Sequence, residues 1–585
     1  MIRLDFLIRL VLVALIAGNL CCVSAGSDIS SCVITSVHPL ATRAGENAFE
    51  QGGNAVDAAI ATALTLGVVD NHNSGIGGGC FILIRTPDGQ ITAIDGREMA
   101  PAAATADMYV RDAKAIPELS QTGALAIAVP GALAAYQQAG HLHGQQTLAD
   151  HLLPAAKIAD EGFAIDEAYA QKLADKADQL ALFPASRNQL LHADGSPYRH
   201  GERLRQPDLA NTYRAIANHG TDWFYKGPFA KTVATWMANN GGLLTAADFA
   251  NYHTQRRQPI VTRYRDWKII GFPPPSSGGT HVAQILNMLE SVDLRREHDA
   301  DPVRTAHLII EAMKLAFADR AHWLGDADFA KVPKALIDKT YANDLFKKIN
   351  RNAATAVPRH GDAFAFGDDV FGKHTTHIAA ADSDGYWVAI TATVNTTFGS
   401  KVIVPGTGVV LNNEMDDFSS QVGVPNAFGL IGAQNNAIAP GKRPLSSMSP
   451  TIVLNQDDQP VLTVGAAGGP KIITQVLLAI IRTLDFDDNL QQAVAAPRFH
   501  HQWRPDVVLV ERTMPSDTID GLKTFGHNVR LITHTGITQA IERRPDGQLI
   551  GVHDPRVSGK TGYATRKPIP HRNQVPHPPL TPANP

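Results

Sequence analysis

Apolar positions along this chain recur with two periods. Short alternating or wholly apolar runs read as strands, runs spaced by three and four as helices, and the two kinds interleave along the chain. Asn54 stands as an N-cap with Asp57 at N3, opening a helix over 55–68 after the Gly52-Gly53 break. Ile309, Ala312, Met313, Ala316 and Phe317 keep helical spacing within 305–324, with Gly325 as the stop. The Gly- and Pro-rich segment 271–279 reads as a rigid loop feeding a helix that starts near His281. Residues 374–381 and 386–395 read as two strands joined by the Asp382-Ser383-Asp384-Gly385 turn, a hairpin. Further on, a strand at 460–464, a loop at 465–470 and a helix over 471–484 follow one another, Pro470 suiting the first helical position. Residues 352–373 lose periodicity and read as a linker, and 565–585, with seven prolines, read as a disordered tail. No internal repeat is visible.

The start of the chain follows a different rule. Arg3 and Arg9 precede an apolar stretch over 10–20, and Val23-Ser24-Ala25 supplies small residues behind it. That is the pattern of a secretory signal peptide over 1–25, too short for a bilayer that needs about 20 apolar residues. The expected mature protein is exported and soluble, periplasmic or extracellular.

Composition narrows the classes. The chain has 585 residues, with 52 Lys+Arg against 56 Asp+Glu and a net charge of −4. This near balance leaves no electrostatic footprint for nucleic acid or an anionic membrane. Hydrophobic residues make up 44% and charged residues 18%, enough for a large core, and length alone suggests three or four domains. Gly 48 and Pro 36 lie near ordinary usage, which excludes collagen-like and low-complexity architectures. Behind the leader only Cys32 and Cys80 remain, both in apolar strand-like runs. That rules out a disulfide framework and a cysteine zinc site; buried thiols are expected, with a single bridge as the alternative.

The candidate chemistry gathers at two places. Hairpin pairing keeps the sum of paired residue numbers constant, so Thr375, Thr393 and Asn395 converge at one end of the 374–395 hairpin. Gly468 and Gly469, beside a helix N-terminus, offer backbone amides to an anion. The GK[ST] element of a nucleotide loop is absent, as are a G-x-S-x-G elbow and an H-E-x-x-H pair. The 23 histidines show no metal-binding spacing, so neither a metal nor a cofactor is expected.

Several stretches together carry a resemblance. Thr375-Thr376-His377 with Asn395-Thr396-Thr397-Phe398-Gly399 resembles the start of the small subunit of gamma-glutamyltransferases. So do Leu411 to Phe418, Lys442 to Pro450 and Ala495 to His501. In the N-terminal half, Gly52 to Ala58, Gly77-Gly78-Gly79, Arg97 to Pro101 and the Pro273 to Gly279 loop agree with it, in order. The resemblance runs from about Thr35 to Tyr563.

It implies an α+β, N-terminal-nucleophile hydrolase with a four-layer αββα sandwich. The precursor would cut itself between His374 and Thr375, leaving a large subunit (26–374) and a small catalytic one (375–585) as a heterodimer. Thr375 would be the nucleophile, with its own freed α-amine as base, which would explain why no triad is found. Thr393 would hydrogen-bond the nucleophile, and Gly468 and Gly469 would form the oxyanion hole. Arg97, Ser446 and Ser447 would hold the glutamyl α-carboxylate, and Asp417, Glu414 and Asn395 would complete the pocket around the α-ammonium. Of Asp416 and Asp417, adjacent strand residues on opposite faces, only one would face the site. The expected activity is cleavage of glutathione and other gamma-glutamyl compounds, with transfer to water or to an amino acid or dipeptide acceptor. Segment 419–432 matches a lid, with Phe428 where a tyrosine usually stands. A cephalosporin acylase of the same superfamily and a non-catalytic secreted binding protein are the alternatives.

Overall fold

The computed structural model describes residues 32–357, 375–421 and 423–566. The leader, His374 and the tail beyond Arg566 lie outside the described residues, as does most of the linker. Thirteen strands form two antiparallel sheets. They are β1 (Cys32–Ser36), β2 (Gly79–Arg85), β3 (Ile91–Gly96), β4 (Gln255–Arg257), β5 (Ile260–Tyr264), β6 (Trp267–Gly271), β7 (Thr376–Asp382), β8 (Trp387–Thr393), β9 (Thr451–Leu454), β10 (Pro460–Ala467), β11 (Ile537–Arg543), β12 (Leu549–His553) and β13 (Lys560–Ala564). The first sheet runs β13-β1-β7-β8-β2-β3-β4 and the second β12-β11-β10-β9-β6-β5.

Side-chain alternation shows how the layers stack. Ile378, Ala380 and Ile390 face outward onto helices α1 (Pro39–Glu50) and α2 (Ala55–Val69). Their neighbours Ala379, Ala381 and Ala389 face inward, against Ile452, Val464 and Ala466 of the second sheet. That sheet is covered on its far side by α3 (Gly278–Leu289) and α5 (Lys471–Leu484), with α4 (Pro302–Trp323) packed on α3. The order is helix, sheet, sheet, helix. Because β2, β7 and β8 are buried on both faces, every residue in them is buried, and they read as apolar runs rather than alternations.

The expected hairpin forms with the expected register: Thr376 pairs with Ala392 and Ala381 with Trp387. The second strand ends earlier than expected, at Thr393. The Asn54–Asp57 capping box opens α2 as read. Helix α4 begins at Pro302, earlier than read, and ends at Trp323 with Leu324 as its C-cap and Gly325 just beyond, as expected; α3 begins at Gly278, ahead of His281. The expectation of three or four domains is not met: strands from both sides of Thr375 share one seven-stranded sheet, and the described residues form one compact unit. Cys32 on β1 and Cys80 on β2 have two strands between them, about 14 Å by strand spacing, too far for a disulfide. Among the described residues no helix is long and apolar enough to cross a membrane.

Candidate active site

At the mouth of the hairpin, Thr375 precedes β7 and Thr393 ends β8. Strand β2 starts beside them, and a Cβ on Gly78 would lie 1.9 Å from the Thr393 carbonyl, so only glycine admits the close approach. Asn395 leaves the strand with φ +76°, a left-handed conformation that asparagine tolerates better than most residues. Its amide donates to Thr393 Oγ1 at 2.8 Å and its side-chain Nδ2 to the Asn413 carbonyl at 3.0 Å. A loop that sequence reasoning passed over braces this mouth from outside. Thr376 donates to Asp70 Oδ2 at 2.8 Å, and the amides of Val394 and Phe398 donate to the carbonyls of Asn73 and His72, each at 3.0 Å. Burial pushes the Asp70 carboxyl up to about 7, against the hydrogen bond from Thr376.

The opposite end is charged. Residues Glu414–Asp417 form a 3-10 turn, not a strand, so Asp416 and Asp417 point apart for a different reason from the one expected. Asp416 turns away, accepting from Ser120 Oγ at 2.5 Å and from the Ala427 amide at 2.9 Å. Arg97, fully buried, pairs with Asp417, Glu414 and Glu98, and its Nε donates to the Pro444 carbonyl at 3.1 Å. It stands behind the cavity wall rather than in it. Burial opposes its charge, but Glu414 and Asp417 beside it hold the guanidinium above its ordinary range. Burial raises all three carboxyls: Glu98 to about 7, Glu414 well above the carboxylate range with Glu98 adding to the effect, and Asp417 in the same direction.

Between the two ends the second sheet supplies its glycines. Strand β10 runs into Gly468-Gly469-Pro470 and then α5, as expected. Gly469 has φ +59° and lines the cavity; Gly468 sits one residue behind. Among the described residues neither amide donates a hydrogen bond within the fold. Phe428 lies against Gly469, where an added Cβ would meet its ring at 2.8 Å. Main-chain and side-chain bonds hold the Phe428 loop in place: Ala427 to Asp416, Asn426 Nδ2 to Asp417 Oδ1 at 3.4 Å, and Gln502 Nε2 to the Phe428 carbonyl at 3.2 Å. The loop is thus tethered, though not through the side chain at 428.

These parts line one common cavity. Thr375, Thr393, Asn395, Glu414, Asp417, Phe428, Ser446, Ser447 and Gly469 all line it. So does Arg320, from α4, which sequence reasoning missed; every residue of this helix over 305–320 is buried, so the guanidinium has to find its partners within the fold. Burial lowers Arg320 to about 10, so it stays charged at neutral pH. Three carboxyls and Arg97 at one corner, with Arg320 and two hydroxyls beside them, suit a ligand that carries both a cation and an anion. Away from the cavity, His307, Glu311 and His527 bring donor atoms within 4.8 Å of one another, a grouping the histidine spacing did not reveal. They are already engaged: His307 bridges His527 and the Asn350 carbonyl, each at 2.8 Å, and Glu311 pairs with Lys314.

Known proteins match this chain over most of its length. A sequence model described as gamma-glutamyltranspeptidase matches residues 41–564. The glutathione hydrolase proenzyme of Escherichia coli is 40% identical, covering 95% of this chain and 98% of its own. That of a Pseudomonas species (strain A14) is 42% identical over 84% of this chain and 85% of its own. Among solved structures, the cephalosporin acylase of Bacillus halodurans superposes with a TM-score of 0.81 at 29% identity, covering 91% of this chain and 96% of that one.

Proposed function

The chain belongs to the gamma-glutamyltranspeptidase family, and from that premise we propose how its residues divide the work of a gamma-glutamyl transferase and hydrolase. The fold is that of an N-terminal-nucleophile hydrolase, and the enzyme is a self-processed pair of chains acting on glutathione-type substrates.

The proposed cut falls between His374 and Thr375 and leaves fragments 26–374 and 375–585, following export with removal of 1–25. Thr375 Oγ1 then attacks the gamma-carbonyl of the donor. Its freed α-amine takes the hydroxyl proton, an amine of this kind having a pKa of roughly 7.7–8.0, and passes it to the leaving amine. The tetrahedral oxyanion lies against the Gly468 and Gly469 amides. Thr393 donates to the nucleophile. The gamma-glutamyl ester on Thr375 is then resolved by water or by the amine of an amino acid or dipeptide.

The observation that carries this assignment is that Thr375 and Gly469 line one cavity with Glu414 and Asp417, the two carboxyls that Arg97 holds from behind. The cluster also weighs against a glutaryl-type acylase. An ammonium in this corner would favour the ionised forms of Glu414 and Asp417, which line the cavity, whereas a donor without one would gain nothing from them. The test is consumption of glutathione by the purified enzyme, with and without a dipeptide acceptor, alongside a denaturing gel. Two fragments that release glutamate or its dipeptide conjugate are expected. An uncut chain that still turns over glutathione would overturn the assignment of Thr375.

A further inference from the structure

The Pro273 to Gly279 loop and Arg320 have no part in the steps above, yet both press on the turn that carries Ser446 and Ser447. The loop makes a parallel bridge from Ser276 to Ser446, and the Ser446 amide donates to the Pro275 carbonyl at 2.8 Å. The Ser277 amide and hydroxyl both donate to the Ser446 carbonyl, at 2.8 and 2.7 Å. Ser277 Oγ in turn accepts from Arg320 Nε at 3.0 Å, while Arg320 Nη2 donates to Ser447 Oγ at 3.1 Å. Ser446 Oγ accepts from the Met448 amide at 3.1 Å.

The direction of these bonds matters. A guanidinium and a backbone amide can only donate, so each serine Oγ is occupied as an acceptor and keeps its own proton to give. Both residues line the cavity, where an anion would meet two hydroxyl donors with the Arg320 charge behind them. Arg320 also reaches the two serines by separate nitrogens, one directly and one through Ser277, which fixes them as a unit.

We propose that Arg320 is a positioning residue for donor specificity: it holds Ser446 and Ser447 with their hydroxyl protons turned to the α-carboxylate of the donor, so that donors bearing this group are preferred. This role rests on the assignment of the two serines to the α-carboxylate made above.

The test compares two donors, a gamma-glutamyl anilide and the 4-aminobutyryl anilide that is the same molecule without its α-carboxylate. Hydrogen bonds to charged groups correspond to roughly ten- to a hundredfold in affinity. Arg320→Gln is expected to raise KM for the glutamyl anilide by about that factor, with a much smaller change in kcat. The loss of kcat/KM on the aminobutyryl anilide is expected to be at least fivefold smaller. In a Ser447→Ala background, Arg320→Gln is expected to cost markedly less than alone, because the pair acts together. Equal losses on both donors, or additive losses with Ser447→Ala, would overturn the role of Arg320 while leaving the gamma-glutamyl activity intact. A wild-type enzyme that uses both donors equally would remove the carboxylate subsite and this role with it. If Arg320→Gln remains uncut, Ser277→Ala, which breaks only the relay to Ser446, carries the same comparison: a loss confined to the glutamyl donor supports the role, and equal losses overturn it.

Discussion

The two ends of the cavity are built on opposite principles. At the Thr375 end the groups are mostly hydroxyls and amides placed by strand register, with local loop bonds and the Asp70 carboxyl bracing them. At the Arg97 end the groups are ionisable, they sit on loops and a 3-10 turn, and what holds each in place is the others. The first end can lose a side chain and keep its shape. The second cannot, since a buried charge that loses its partner must be neutralised or moved. Under the proposed assignment, chemistry that depends on geometry falls on the rigid element, and recognition that depends on charge falls on the mutually supported ion cluster.

The largest expected effect comes from the rigid end. Thr375→Ala should fold, because its neighbours Thr376 and Ala392 keep their register, but should remain a single uncut chain without turnover. Cleavage into the same two fragments, read on a denaturing gel without added protease, would place the nucleophile elsewhere.

Next comes the charged end. Asp417→Ala should weaken donor binding by about 2–5 kcal/mol, as when other buried charge pairs lose one partner. A glutaryl donor, which lacks the ammonium, should lose far less. Binding constants for the two donors give the measurement, and equal losses would mean that Asp417 serves Arg97 alone.

A third test uses the brace. The Asp70 carboxyl is raised from 3.8 to about 7 by burial. A carboxyl raised on folding contributes stability that is fully present below about pH 4 and is lost as pH rises through about 7. Wild type should therefore lose stability over that window, on the order of 4 kcal/mol from this group. Asp70→Asn, which has nothing to titrate, should lose less, so melting curves should shift in favour of the variant between pH 4 and pH 8. A constant difference between the two across that range would show that Asp70 stays charged beside Thr376.

The same contrast separates what could be read along the chain from what could not. Hairpin register is arithmetic on residue numbers, and it placed Thr375 opposite Thr393 correctly. The strand–glycine–helix order around Gly468 and Gly469 is likewise local, as is the Asn54 cap. The charged corner is not local. Arg97, Glu414 and Asp417 were named through resemblance, but nothing in their spacing indicates that they pair with one another across more than three hundred residues. Arg320 and Asp70 were missed for a related reason: each lies at or beside the end of a long buried helix, where a charged residue has no periodic signature. Asn395 was misplaced in a strand because a left-handed residue breaks no hydrophobic pattern.

The smallest effect is expected where the two ends meet, at Phe428. Its ring lies against Gly469 on one side, and its loop is bonded to Asp416 and Asp417 on the other. Phe428→Tyr adds a hydroxyl at nearly constant volume. One more hydrogen bond is worth roughly 0.5–1.5 kcal/mol, and the loop already has three tethers, so the closed state should gain at most about two- to tenfold. A more populated closed state shields the ester on Thr375 from water, so the ratio of hydrolysis to transfer should fall. Self-cleavage should be unchanged, because it precedes donor binding. The ratio is measured by following glutamate and the dipeptide conjugate in the same reaction. If it does not move, the tethers through Asp416, Asp417 and Gln502 already hold the loop shut. In that case Asn426→Ala, which cuts the bond to Asp417, should raise hydrolysis where the tyrosine failed to lower it.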